Sequence, residues 1–219
     1  DKALEQAYSF GHERDRVFRV SGMILRPSFY EVPRVDRVVE RARLGLKPEL
    51  PTGLVLFGGE GSKAMVDIAR RLDRSGLALQ LILMHGRNEK LGGRLRSLAL
   101  RMPAHIQGFT TDVAYYMQLA DFMIGKPGPG SISEALAMKL PVIVDSNAWT
   151  MPQERYNAEW LEENQLGVVV KNWGEIGAAV ERLLAPGALE AYRERAGAVD
   201  NRAVFEITNI LDDVLQRGP

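Results

Sequence analysis

Six short apolar runs recur along the chain, each followed by a segment whose apolar residues return at helical spacing. "GLVLFG" (53–58) precedes a helical pattern reaching Ser75. "LALQLILM" (77–84) precedes "NEKLGGRLRSLALR", and "AHIQGF" (104–109) precedes "TDVAYYMQLA". "DFMIG" (121–125) leads into "SISEALAMK", "PVIVD" (141–145) into "QERYNAEWLEEN", and "LGVVV" (166–170) into "WGEIGAAVERLLA". Runs this short and this apolar fit strands buried on both faces. Repeated β-then-α units predict an α/β fold: a Rossmann-like parallel six-stranded sheet with right-handed crossovers and helices on both faces. Residues 1–50 read as a connector carrying one helix, "VPRVDRVVERARLGL" (32–46). Residues 51–185 read as the Rossmann-like domain, and residues 186–219 as one or two terminal helices.

Ligands of such sheets bind beyond the carboxyl ends of the strands, so the loops there are the places where chemistry is expected. In "FGGEGSKAM" (57–65), Gly58, Gly59 and Gly61 permit positive φ and leave room for a close ligand. A helix starting near Ser62 would turn free N–H groups and its positive dipole end toward them. That is an anion site in principle, or simply a tight β–α turn. The spacing is neither GxGxxG nor a P-loop. In "GKPGPGSISEALAMK" (125–139), Gly128 and Gly130 flank Pro129, and a helix is expected from Gly130 or Ser131. Pro127 and Pro129 stiffen the loop. Ser131 and Ser133 can cap the helix or bind a ligand oxygen. Glu134, expected in the first turn, either complements the dipole or accepts both hydroxyls of a ribose diol. Gln153 and Glu154 stand at the next helix start, where an amide and a carboxylate suit sugar hydroxyls or are merely solvated. Phe109 ends a strand ahead of Thr110 or Thr111 as helix cap. Its ring can meet a base, or serve as a core or lid aromatic.

Composition narrows the classes. The 219 residues carry 28 basic and 28 acidic side chains, so no basic excess points to nucleic acid. Without cysteine there is no disulfide or thiolate catalysis, and a cytoplasmic setting is permitted. His12, His85 and His105 lack metal-ligand spacing, so no metal site is expected. No apolar run approaches the ~20 residues of a membrane span, and no signal peptide is visible. The chain opens on "DKALEQAYSFGHERD", without Met, and reads as a piece of a longer protein. Two weaker features are "WTM" (149–151), a lipid contact or a loop anchor, and "RVDRVVERARLGLK" (34–47). The latter is basic-leaning and amphipathic. It either faces anionic lipid or packs on the sheet with its charged face solvated.

Taken in order, "SGMILRPSF" (21–29), "FGGEG" (57–61), "HGRNEKL" (85–91), "QGFTTD…GKPGPGSISEALAMKLPVIV" (107–144) and "PQERYNAEWLEENQLGVVV" (152–170) carry a resemblance. They resemble the C-terminal half of GT-B glycosyltransferases of family 28. That family includes monogalactosyldiacylglycerol synthases, processive diacylglycerol glucosyltransferases and the lipid II-forming N-acetylglucosaminyltransferase. The Lys-x-Gly-Pro-Gly-(Ser/Thr)-Ile-x-Glu-Ala pattern with a later Gln-Glu is most similar to the galactolipid synthases and their glycolipid relatives. The lipid II enzyme differs in the glycine loop and has two glutamines where this chain has Gln153 and Glu154.

The resemblance implies an inverting, metal-independent transfer from a UDP-sugar to a lipid such as diacylglycerol, with no cofactor. It implies that Arg26 approaches the diphosphate and that Gly59, Glu60 and Gly61 line it. Phe109 would meet the uracil. Gly128, Pro129, Gly130, Ser131, Ile132 and Ser133 would hold phosphate, and Glu134 the ribose diol. Gln153 and Glu154 would contact the hexose. The general base and lipid groove would belong to an N-terminal half for which this chain has too few residues. The fragment alone is therefore expected to bind donor without catalysis, the whole protein being cytoplasmic and peripherally membrane-associated. Two rivals remain at this point: a stand-alone donor subunit docking on a separate acceptor subunit, and a GT-B-fold UDP-sugar 2-epimerase.

Overall fold

A computed structural model describes residues 2–148 and 150–217. The expected strands form as β1 (Thr52–Leu56), β2 (Gln80–Gly86), β3 (Ala104–Gly108), β4 (Phe122–Gly125), β5 (Val142–Asp145) and β6 (Gly167–Val170). All neighbours pair in parallel, in the order β3-β2-β1-β4-β5-β6. The order reverses at β1, so the topological switch point lies between β1 and β4, where an open α/β sheet leaves a crevice.

Alternation within the strands divides the core. Leu54, Leu56, Ile82, Met84, Met123, Val142 and Val144 point to one face. They meet α5 (Val113–Leu119), α6 (Pro129–Ala137) and α7 (Pro152–Glu163) through Met117, Ile132, Ala135, Leu136 and Leu161. Val55, Leu81, Leu83, Phe122, Ile124, Ile143 and Val168 point to the other. There they meet α3 (Ala64–Ser75), α4 (Glu89–Arg96) and α8 (Ile176–Leu183). The edge strand β3 is half-buried throughout, whereas the other edge strand, β6, is mostly buried. Two helices close the chain, α9 (Ala188–Gly197) and α10 (Ala203–Arg217). No helix among the described residues is long and apolar enough to cross a membrane.

Several local expectations change. A helix absent from the sequence reading, α1 (Lys2–Ser9), opens the connector. The segment after β2 is helical only to Arg96; further on, the Asp73 carboxylate accepts the backbone N–H groups of Arg101 and Met102. Trp149 of the "WTM" loop lies outside the described residues; Met151 beside it is exposed. The basic helix α2 (Arg37–Arg43) packs with Arg37 and Arg41 inward and leaves Val38 and Val39 59% and 56% exposed. The face expected to be solvated is thus the packed one.

Asp121 is the reason. It sits just ahead of β4, largely buried. Its Oδ2 accepts from Arg41 Nη2 at 2.7 Å and from the Thr52 backbone N–H at 2.8 Å, and its Oδ1 from Arg37 Nη2 at 2.6 Å. Arg193 of α9 adds a longer ion pair at 3.5 Å. Burial alone would push this carboxyl up, but the Arg37 and Arg41 charges outweigh it and hold it below its ordinary value of 3.8. A depressed carboxyl gives stability that is present above the unfolded-state pKa and is lost as the pH falls through the folded-state one. The wild-type chain should therefore lose this contribution only below about pH 4. Asp121→Ala should cost about 3–5 kcal/mol, since it leaves the buried Arg41 guanidinium without its carboxylate. Urea unfolding at neutral pH measures the cost, and repeating it down the acid range should show the difference between the two proteins shrinking.

Candidate functional site

At the switch point the carboxyl ends of β1 and β4 open onto a cavity of about 280 Å3. Arg26, Gly59, Phe109, Gly130, Ser131 and Glu134 line it together, although they come from four separate stretches of sequence. Phe29, Leu56, Met84 and Val113 supply apolar wall, and Gly58, Gly86, Thr110 and Thr111 complete the rim.

Local geometry explains how these residues reach one place. Gly58 adopts φ 71°, which turns the chain sharply after β1. Gly86 adopts φ 63°, and a Cβ there would lie 2.0 Å from the Gly59 carbonyl oxygen. That carbonyl accepts the Arg87 N–H at 2.8 Å, so the loop after β1 is stitched to the end of β2. On the opposite side, a Cβ on Gly125 would lie 2.4 Å from the Leu56 carbonyl oxygen. Close backbone contacts therefore join the ends of β1, β2 and β4 beside the cavity.

The helix α6 starts earlier than expected, at Pro129, with Gly128 as its N-cap and no side chain capping it. Proline suits the first helical position, because its missing N–H would be unpaired there anyway. The shift moves Glu134 from the first turn to the second, so completing the dipole at the terminus is not its role. Neither Ser131 nor Ser133 caps the helix, and Ser131 faces the cavity instead. Glu134 is half-buried. Desolvation raises its carboxyl above the ordinary 4.5, and the Arg26 charge opposes this without reversing it. The threonine caps expected for α5 are also replaced. Asp112 accepts from the Tyr115 N–H at 3.3 Å, and Thr110 braces Asp112, leaving both threonines on the cavity rim.

The other expected site residues do not line this cavity. Glu60 is exposed and stands 4.0 Å from Arg87. Gly61 turns toward α4, where a Cβ would lie 2.8 Å from Leu91 and 2.9 Å from the His85 carbonyl oxygen. Packing thus accounts for that glycine without a ligand. Ile132 is buried in the core, while Pro129 and Ser133 line a separate cavity of about 920 Å3 on another side of α6. Gln153 is exposed and donates to the Met151 Sδ at 3.4 Å. Glu154 is buried and pairs with Lys126 at 3.3 Å, beside Gly128.

Two residues were not read as chemistry in the sequence, Gly86 and Arg87. The Arg87 guanidinium stands 3.9 Å over the Phe109 ring centroid, so one face of this cavity-lining aromatic carries a cation. "HGRNEKL" contained the signal, a glycine that ends a strand and is followed at once by arginine.

Comparison with known proteins extends this geometry. Residues 54–197 match the model of the glycosyltransferase family 28 C-terminal domain. Monogalactosyldiacylglycerol synthase of Spinacia oleracea is 34% identical over 212 residues, taking in 91% of this chain and 40% of the spinach protein. Monogalactosyldiacylglycerol synthase 1 of Arabidopsis thaliana is 32% identical over 226 residues, with 99% and 42% covered. The chain spans about two fifths of the length of these curated relatives. A solved glycosyltransferase from Rickettsia africae shares the fold with a TM-score of 0.67 at 15% identity, over 98% of this chain and 62% of that one.

Gly86→Ala should cost about 2–4 kcal/mol, from left-handed strain plus overpacking against Gly59. Gly93→Ala, whose Cβ meets nothing within 4 Å, should be neutral or stabilising by up to ~1 kcal/mol. Denaturant unfolding of both variants checks the contrast.

Proposed function

Because the chain belongs to the glycosyltransferase family 28 C-terminal domain family, we propose that it is the half of a glycolipid glycosyltransferase that binds a UDP-hexose. The observation that carries the reading is the single cavity shared by Arg26, Gly59, Phe109, Gly130, Ser131 and Glu134. Those residues divide by chemistry. Glu134 offers a carboxylate, an acceptor-only group suited to the vicinal hydroxyls of ribose. Gly130, Ser131 and the N-terminal turn of α6 offer N–H and hydroxyl donors together with the positive dipole end to a diphosphate. Arg26 adds a full charge at the same rim. Phe109 and Arg87 offer a flat apolar and cationic edge to a base.

The mechanism follows from where charge develops. When an acceptor hydroxyl displaces UDP from the anomeric carbon, negative charge accumulates on the departing diphosphate. Fixed donors aimed at that position stabilise the transition state more than the ground state. Arg26 and the N-terminus of α6 fill that role without a metal ion, and single displacement inverts the anomeric centre. Deprotonation of the acceptor needs a base within hydrogen-bond reach. We assign that base, and the groove for a diacylglycerol-like acceptor, to protein outside this chain. In this reading the chain alone binds donor and does not transfer it, and the complete enzyme works at a membrane surface.

The test is calorimetry with UDP. The wild-type chain should bind, and Glu134→Ala should weaken binding by about 1–3 kcal/mol through the lost diol contacts. A folded wild-type chain that takes up no UDP overturns the donor reading. The raised Glu134 carboxyl adds a pH signature. Its protonation begins at a higher pH than for an ordinary carboxylate, and the protonated form is the poorer diol acceptor. UDP affinity should therefore fall from neutral to mildly acidic pH, and Glu134→Gln should bind more weakly at neutral pH with a flatter profile.

A further inference from the structure

Beside the cavity, three side chains converge on the N-cap of α6. A Cβ on Gly128 would lie 3.4 Å from Lys126 Cε, 3.6 Å from Glu154 Oε1 and 3.8 Å from Ser131 Oγ. Ser131 lines the cavity, so this cluster is continuous with it. Lys126 Nζ lies 3.3 Å from Glu154 Oε1, and the lysine side chain is 46% exposed against 10% for the glutamate. The other oxygen, Oε2, makes no hydrogen bond or ion pair among the described residues. Asp145, at the end of β5, bears on Glu154 with like charge, and its own carboxyl is raised by burial. The Asn157 side chain donates to the Pro127 carbonyl at 2.8 Å and clamps the loop to α7, so the cluster is held from both elements.

A buried carboxylate facing a second carboxylate is costly unless a cation accompanies it. Lys126 is the cation in contact with Glu154. From this geometry we infer that Lys126 is a positioning residue for the hexose: it holds Glu154 by one oxygen and leaves Oε2 presented to a sugar hydroxyl. This rests on the donor reading above and names the part of the donor that the pair selects. Lys126 acts through Glu154, and the nucleotide is bound elsewhere, by Glu134, Arg26 and the loop glycines.

Titrations of this chain with UDP, UDP-glucose and UDP-galactose separate the two roles. The wild type should bind one UDP-hexose more tightly than UDP. Lys126→Met should lower that affinity about tenfold, the scale of one hydrogen bond to a charged group. UDP itself should stay within about twofold. Lys126→Arg should restore most of the loss, and Lys126→Met should add little in a Glu154→Gln background, because both changes remove one interaction. Equal loss of UDP and UDP-hexose in Lys126→Met overturns the proposal, since the lysine then serves the diphosphate. Additive losses in the double variant overturn it, as does a wild type that binds UDP and UDP-hexoses alike. In each of those outcomes UDP still binds and the donor reading stands; only absence of UDP binding removes both.

Discussion

The structure depends on how β1 is gripped at its two ends. At its start, Thr52 and Asp121 exchange hydrogen bonds: the Asp121 N–H donates to the Thr52 carbonyl at 2.7 Å, and the Thr52 N–H to the Asp121 carboxylate. Arg37, Arg41 and Arg193 close on the same carboxylate from α2 and α9, remote in sequence. At its far end β1 is held by backbone, through Gly59 against Gly86 and Leu56 against Gly125. One end is fixed by charge in a poorly solvated place, where unpaired groups are expensive. The other is fixed by contacts that any side chain would push apart. Both ends of the strand beneath the crevice are thus anchored.

This division bears on recognition. Donors that belong to backbone lose no side-chain entropy when they meet a ligand, and they keep their aim when it leaves. The titratable groups around them are few and differ in environment. Glu134 is half-buried and raised, with Arg26 nearby. Glu154 is deeper and has Lys126 against it. The two carboxylates thus sit in different surroundings, one on α6 under the charge of Arg26 and one on α7 in contact with Lys126.

The fold was legible because the period of the pattern changes from strand to helix in each unit, and solvent exclusion from a doubly covered sheet enforces that pattern. The cavity was partly legible: loops after β1, β3 and β4 were named, and Glu134, Ser131, Gly59 and Phe109 do meet at one place. The errors share a cause. The caps of α5 and α6 were assigned by residue type, whereas Asp112 reached the free N–H groups before the threonines, and Pro129 could begin a helix without any cap. The buried face of α2 was misread because its anchor is Asp121, 80 residues from Arg41. Amphipathicity assumes that charges seek water, and it cannot register a distant carboxylate that makes burial of arginine favourable. At Gly61 the Leu91 side chain and the His85 carbonyl occupy the space that a side chain would need.

The α6 stretch shows why a contiguous motif cannot act as a contiguous site. At about 100° per residue, successive positions face different ways. Gly130, Ser131 and Glu134 look into the small cavity. Ile132, Ala135 and Leu136 look into the core. Pro129 and Ser133 look toward the larger cavity beside residues 18–23, whose wall Ile132 and Leu136 also join. Only the first group can touch a ligand bound at the switch point. The second group packs the helix against the sheet and so sets its rotation. A sequence pattern of this kind mixes residues that bind with residues that aim, and the helical period separates them once the start of the helix is known. Moving that start from Gly130 or Ser131 to Pro129 changes which turn Glu134 occupies: it no longer completes a dipole at the terminus, and its half-buried carboxyl is raised by desolvation.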